Sequence, residues 1–221
     1  MMSILCIMHI NVKRMRYNSV SFIIKLDILR SFTIYTNAYN NEMSLKRVII
    51  TDDNIPSLYI NKNINYKNKK DYSLEHVVPR SFIHKKHHND MHNIFKTLKH
   101  YNTLRSNYKF TDTNSKDYDN KDMNWQKTPD GTYYNFKKRM FIPLDDDKGI
   151  IARTILYMLY NYKYKTKKII GDIDLIKWTS DNPPTYEEKY HNSIIKIHQY
   201  TDNIFISKYN KINYKNYIKY L

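Results

Sequence analysis

The sequence predicts an α+β fold, a single domain with additional helices, and three observations carry that expectation. Between residues 46 and 142 the apolar residues come as short, β-branched or alternating runs broken by turn residues, the mark of strands. From residue 145 onward they recur at spacings of three and four, the mark of amphipathic helices. The length of 221 residues, 41% of them hydrophobic and with no internal repeat, suits one core. Only three Gly and six Pro exclude a collagen or a low-complexity fibre.

Residues 1–45 read as an N-terminal arm of uncertain structure, residues 46–207 as the domain, and residues 208–221 as a basic, solvated tail. The arm holds two short apolar runs, residues 4–10 and 20–24, interrupted by Lys13, Arg14, Arg16 and Lys25. Those charges follow the first run instead of preceding it, so no secretory signal is recognised, and Met43 is an alternative start. No apolar run approaches the ~20 residues that span a bilayer, so no membrane partner is expected.

Residues 46–71 read as short strands and turns: Val48 to Ile50, a turn at Asp52 to Asn54, Ser57 to Ile60, then a Lys- and Asn-rich loop over 61–70. A strand is expected over 74–82, stopped by Pro79, which has no N–H to give to a ladder. Residues 84–92 are turn-like, and Ile94 and Phe95 begin a second strand. Thr97 is placed as the cap of a helix to about Ser106, on which Asn102 and Arg105 share a face. Residues 112–130 lack periodicity and read as a loop, and 133–142 is strand-like again. Asp145, Asp146 and Asp147 suit a helix N-terminus, followed by the stripe Ile151, Ile155, Met158, Leu159 and Tyr162. Two more helices are expected over 173–178 and 186–199.

With 37 Lys and Arg against 21 Asp and Glu, the chain carries a formal charge of +16, which points to a polyanion, most commonly nucleic acid. The dominance of Lys, Asn, Ile and Tyr, residues of A- and T-rich codons, is a compositional alternative for part of that charge. One cysteine, Cys6, excludes an internal disulfide framework and a Cys-built zinc site and favours a reducing compartment. His84, His87, His88 and His92 have no Cys beside them and no scaffold for a zinc cage, so they read as solvated or nucleic-acid-facing. His92 is the exception, with a structural hydrogen bond expected.

The chemistry is concentrated in Ser73-Leu74-Glu75-His76-Val77-Val78-Pro79-Arg80-Ser81, Asp90-Met91-His92-Asn93 and Asn102 to Asn107. Hydrolysing a phosphodiester needs a water made more basic, a cation on the phosphoryl and leaving oxygens, and positive groups for the transition-state charge. The imidazole of His76 ionises near neutral pH and suits the base. The carboxylate of Glu75 and the amide oxygen of Asn102 suit Mg²⁺, which prefers oxygen ligands. Neighbours in a strand point to opposite faces, so Glu75 and His76 cooperate only if the strand ends or bends there.

These motifs resemble the endonuclease I family of nonspecific nucleases, built on a ββα-metal, or His-Me finger, active site. Further matches in order are Phe141-Ile142-Pro143, Lys148 to Arg153, and a C-terminal block with Trp178, Pro183, Glu188, Asn192, Gln199, Asn203 and Phe205. The resemblance implies that His76 is the general base and that Glu75 and Asn102 hold one divalent cation, Mg²⁺, for which Mn²⁺ or Ca²⁺ substitutes. It assigns Arg105 and Asn107 to phosphate contact or to support of the metal-bearing helix, and Arg153 to a structural role, paired with an acid. A transition-state arginine of some relatives has no clear counterpart between Phe82 and Asn89, and Arg80 and Lys85 stand nearest. Ser73 and Leu74 replace the family's usual Asn or Arg before its Glu-His pair.

The expected activity is Mg²⁺-dependent hydrolysis of DNA, with RNA left open, leaving 5′-phosphates and reading no sequence, because phosphate contacts position a duplex without reading bases. Arg80, Arg105 and Asn107 are the expected nucleic-acid-binding residues. The protein is expected to act as a monomer inside a cell or a virus particle. The alternatives are a catalytically inactive nucleic-acid-binding or packaging protein on the same fold, and a sequence-specific homing-type nuclease.

Overall fold

The computed structural model describes residues 42–61 and 68–220. The expected arm and the core of the expected 61–70 loop therefore lie outside the described residues, apart from Glu42 to Leu45, Asn61 and Asn68 to Lys70. Of the chain's two units, Met1–Leu45 and Lys46–Leu221, the second carries every contact described below.

Helix α1 (Glu42–Thr51) replaces the strand expected at Val48 to Ile50. β-Branched residues lose only about 0.5 kcal/mol each in a helix, which tertiary packing overrides, and Ile49 is fully buried. Ser57 to Ile60 forms one bridge to the second strand instead of a strand of its own, with Leu58 N–H donating to the Lys96 carbonyl at 2.9 Å. The turn continues into Tyr59, whose φ of +67° swings its ring into the core against Phe141.

Strands β1 (Tyr72–His76) and β2 (Ile94–Leu98) form an antiparallel pair with Glu75 opposite Phe95 and His76 opposite Ile94. The first strand stops at His76, short of the expected Phe82. Asn93 captures the chain there: its backbone carbonyl accepts from Val77 N–H at 3.1 Å and its side-chain oxygen from Val78 N–H at 2.7 Å. Thr97 is no helix cap: it pairs with Ser73 in β2, and its hydroxyl donates to the Leu58 carbonyl at 2.7 Å. Helix α2 (Lys99–Arg105) then starts from Leu98 without a side-chain cap.

A second sheet has the order β3-β6-β5-β4, from β3 (Lys109–Phe110), β4 (Trp125–Lys127), β5 (Tyr133–Asn135) and β6 (Met140–Ile142). Strand β3 runs parallel to β6 and the others are antiparallel. Strand β4 lies inside the stretch expected to be loop; its Gln126 and Lys127 are exposed, so it carries no alternating apolar pattern.

The core is organised by α3 (Asp145–Tyr162), buried from Asp147 through Leu159. It packs against α4 (Leu175–Asp181) and α6 (Ile204–Ser207), with α5 (Tyr186–Gln199) against α6 and the turn at Met91–Asn93. Asp174 and Thr185 cap α4 and α5 by accepting backbone N–H groups. The C-terminal segment, expected to be solvated, is fastened by aromatic rings: Tyr217 lies 5.0 Å from Phe205 and 5.4 Å from Tyr160, and Tyr214 stacks on Phe205. Its tyrosines bury apolar bodies, which a count of its lysines does not reveal.

Gly149 marks the closest approach of α3 to the end of α4. A Cβ there would lie 2.3 Å from the Asn182 carbonyl oxygen and 2.8 Å from an Arg153 guanidinium nitrogen. Gly149→Ala is therefore expected to destabilise by ~1–3 kcal/mol through overpacking, despite alanine's better helix propensity. A thermal melt at or above the wild-type midpoint would contradict this contact.

Candidate active site

Strand β1, strand β2 and helix α2 follow one another and fold into one unit. The Asn102 amide on α2 reaches back over β1, donating to the Leu74 carbonyl at 2.9 Å and to the Ser73 hydroxyl at 3.0 Å. Asn102 and Arg105, one helical turn apart, both face β1, as their spacing predicts. A cleft of about 810 Å³ opens beside this unit, lined among others by Glu75, His76, Arg80, Lys85, Asn102 and Asn107. Five of the six site residues named from the sequence thus come together, and Arg105 alone lies beneath the cleft floor.

His76 closes β1 and is half-buried, and its Nε2 lies 2.9 Å from the His88 carbonyl oxygen. A carbonyl only accepts, so Nε2 carries the proton in this contact and the neutral ring presents an unprotonated Nδ1. Burial pushes the imidazole down to about 4, with the charges of Arg80, His88 and Lys46 acting the same way and the His88 carbonyl opposing. The ring is therefore neutral at physiological pH and able to accept a proton.

Glu75 is 2% exposed. Its Oε1 accepts from the Tyr59 hydroxyl at 2.9 Å and lies 3.2 Å from Arg105 Nε. Burial raises its carboxyl to about 7, opposed by Arg105 and by the Tyr59 hydroxyl. Arg105 is itself fully buried, bonded to the carbonyls of Val77 and Ser106 and stacked 4.5 Å from the Phe110 ring centre. A phosphate contact by Arg105 is thereby corrected: its guanidinium is fully buried beneath Glu75, outside the cleft lining, and serves as support, the other role the resemblance implied.

The donor set fits a hard divalent cation. Glu75 offers a carboxylate to the cleft, and Asn102, whose amide nitrogen donates twice to β1, keeps its amide oxygen without a protein donor among the described residues. One or two protein oxygens with water completing the shell is the habit of Mg²⁺. Among the described residues no three His, Cys, Asp or Glu gather as a metal cage. The four histidines form no such cage: the rings of His84 and His87 lie 6.2 Å apart, His87 stacks on Tyr162 at 3.8 Å, His88 Nε2 meets the Arg80 carbonyl at 3.1 Å, and His92 Nε2 meets the Thr201 carbonyl at 3.2 Å.

Arg80 is exposed in the short turn Arg80–Phe82, without an ion pair to a carboxylate among the described residues. Asn107 donates to the Ser81 hydroxyl at 3.4 Å and accepts from Arg139. The Asp90 to Asn93 motif is a brace. Asp90 caps its own turn and accepts from the hydroxyls of Tyr157 and Tyr162 on α3 and from the amide of Gln199.

Sequence reasoning missed Tyr59 and Asp147. Tyr59 holds Glu75 through its hydroxyl, and the Asp147 carboxylate anchors Tyr59 by accepting its backbone N–H at 2.6 Å. Nothing local marks a tyrosine as the partner of a carboxylate 16 residues away. Only the left-handed turn at Tyr59 creates the contact.

No curated protein matches the chain. The family model described as Endonuclease I matches residues 23–209, a span that includes the whole cleft from Lys46 to Asn107 and the helices behind it. On that match, over the greater part of its length, the chain belongs to the endonuclease I family of nucleases.

Proposed function

We propose that the protein is a Mg²⁺-dependent endonuclease that hydrolyses phosphodiester bonds of DNA without reading sequence, on a ββα-metal finger formed by β1, β2 and α2. One observation carries the reading: the adjacent Glu75 and His76 and the sequence-remote Asn102 line one cleft with basic walls, and backbone carbonyls orient both the imidazole and the amide. Glu75 and Asn102 would hold the cation, which when bound supplies positive charge to the phosphoryl and leaving oxygens.

Nδ1 of His76 takes the proton of the attacking water while the His88 carbonyl keeps the ring in place. As the water oxygen bonds to phosphorus the P–O3′ bond breaks, the 3′-oxygen leaves with the electron pair and takes a proton from solvent water, and the product keeps a 5′-phosphate. Arg80 supplies positive charge at the cleft wall for the crowded phosphoryl oxygens. Arg105 and Tyr59 hold Glu75 in position. With one cysteine and hence no internal disulfide, the reading extends to a reducing cell interior or a packaged particle.

The test is plasmid relaxation with Mg²⁺ against an EDTA control. Nicked, then linear, then smeared DNA is expected only with the metal. Discrete fragments would favour a sequence-specific nuclease, and binding without cutting would favour an inactive packaging protein. Asn102→Ala is expected to raise the Mg²⁺ concentration for half-maximal cutting by ~10-fold or more, the scale seen when even outer-shell partners are lost. An unchanged Mg²⁺ titration would remove Asn102 from the metal site.

A further inference from the structure

The cleft does not end at Asn107. The amide oxygen of Asn107 accepts from the guanidinium of Arg139, which sits in the turn between β5 and β6. Ser81, Asn107 and Arg139 thus form a polar chain leading from the cleft wall to an exposed arginine. The backbone fixes the same neighbourhood, because Lys109 N–H donates to the Arg139 carbonyl at 2.9 Å.

The guanidinium of Arg139 lies 5.1 Å from the ring centre of Tyr108. Its partners are therefore an amide and an aromatic face, both neutral, and among the described residues no carboxylate pairs with it. Neighbouring Lys138 differs, pairing with Asp122 at 3.1 Å. An arginine held in one place by neutral groups keeps its full charge and most of its donors for a ligand, and its planar fork suits phosphate. Stacking and the Asn107 contact also reduce the rotamer freedom lost on binding.

We propose that Arg139 is a second phosphate contact, gripping the nucleic-acid backbone on one side of the scissile phosphate. This rests on the nuclease reading and adds to it that the substrate is a polymer held at more than one phosphate, with Tyr108 and Asn107 positioning the guanidinium.

The backbone at Arg139 supplies a clean test. Its φ of +55° is a conformation that glycine adopts at no steric cost, so Arg139→Gly removes the guanidinium without straining the turn. Positive φ does not single out the residue, since Lys163 and Tyr200 adopt it at helix ends.

Binding to a 30-base-pair DNA duplex is measured across NaCl concentrations in the His76→Ala protein, which leaves the duplex intact. Adding Arg139→Gly is expected to flatten the slope of log affinity against log salt by about 0.9, one phosphate's worth, and to weaken binding by roughly 3–10-fold. Arg139→Lys should keep the slope and weaken binding less, because the charge stays and the fork is lost. The control is Lys177→Gln, which removes one charge from the separate cleft around Asp112 and Trp178 and should leave the slope alone. An unchanged slope in Arg139→Gly, or an equal change in Lys177→Gln, overturns the proposal. Because the readout is binding, wild-type protein that binds but never cuts would count against the hydrolase reading alone, with the slope still deciding Arg139.

Discussion

Replacing His76 by alanine is expected to lower the rate of plasmid nicking by ~10²–10⁴-fold at saturating Mg²⁺, the usual contribution of a positioned general base. Duplex binding should survive, because Arg80 and the Asn107 wall remain. The imidazole is half-buried and hydrogen-bonds the His88 carbonyl, so the expected loss of stability is only ~1 kcal/mol. A large rate loss with a nearly unchanged melt therefore separates chemistry from folding. His76→Asn sharpens the comparison: its amide can still donate to that carbonyl but cannot take a proton at neutral pH. If His76→Asn cuts like wild type while His76→Ala does not, the residue positions the loop and is not the base. Nicking within about threefold of wild type in both variants would remove His76 from the mechanism.

Much of this candidate site is locally encoded. A strand carrying the Glu-His pair and a break near it were readable from Pro79 and from the pair's need to leave a pleated strand, but the stop at His76, short of the expected Phe82, is set by Asn93 accepting from the N–H groups of Val77 and Val78. Asn102 and Arg105 share a face because a helix repeats every 3.6 residues, and no distant contact is needed to place them together. The helices α3 and α5 were equally legible, one from three leading aspartates and an apolar stripe, the other from a Thr cap after two prolines.

What stayed hidden depends on contacts between distant parts of the chain. Arg105 carries a charge and so reads as a surface residue. It is buried because Glu75, thirty residues earlier, is buried with it and two backbone carbonyls accept from its terminal nitrogens. Tyr59 and Asp147 belong to the same shell, joined across 88 residues by a single hydrogen bond. Strand β4 exists through its pairing with β5 rather than through its own pattern, and α1 through packing that outweighs its β-branched residues. The aromatic fastening of the C-terminal segment is of the same kind, since Tyr214 and Tyr217 look solvated until Phe205 and Tyr160 are placed beside them.

The largest stability effect is expected behind the cleft, at Arg153 and Glu188. The sequence anticipated an acid for Arg153, and Glu188 fills that place with two contacts, 2.7 Å from Nε and 2.5 Å from a terminal nitrogen, each side chain 1% exposed. Burial pushes the Glu188 carboxyl above the usual range while Arg153 draws it back down. The remaining guanidinium nitrogen donates to the Asn182 carbonyl at 2.6 Å, so one side chain ties α3 to α5 and to the end of α4. Glu188→Ala strands that buried cation with no anion and is expected to cost about 3–5 kcal/mol. Against a total stability of ~5–15 kcal/mol this is severe, and the melting midpoint should fall by roughly 6–20 °C. Changing both partners, Arg153→Met with Glu188→Leu, removes the stranded charge as well as the pair and should recover most of the loss. Cutting measured well below the lowered midpoint should stay near wild type, since neither residue lines the cleft. A Glu188→Ala protein that melts within a few degrees of wild type would mean that water or another group neutralises Arg153. The pair would then not be what holds the helices behind the active cleft together.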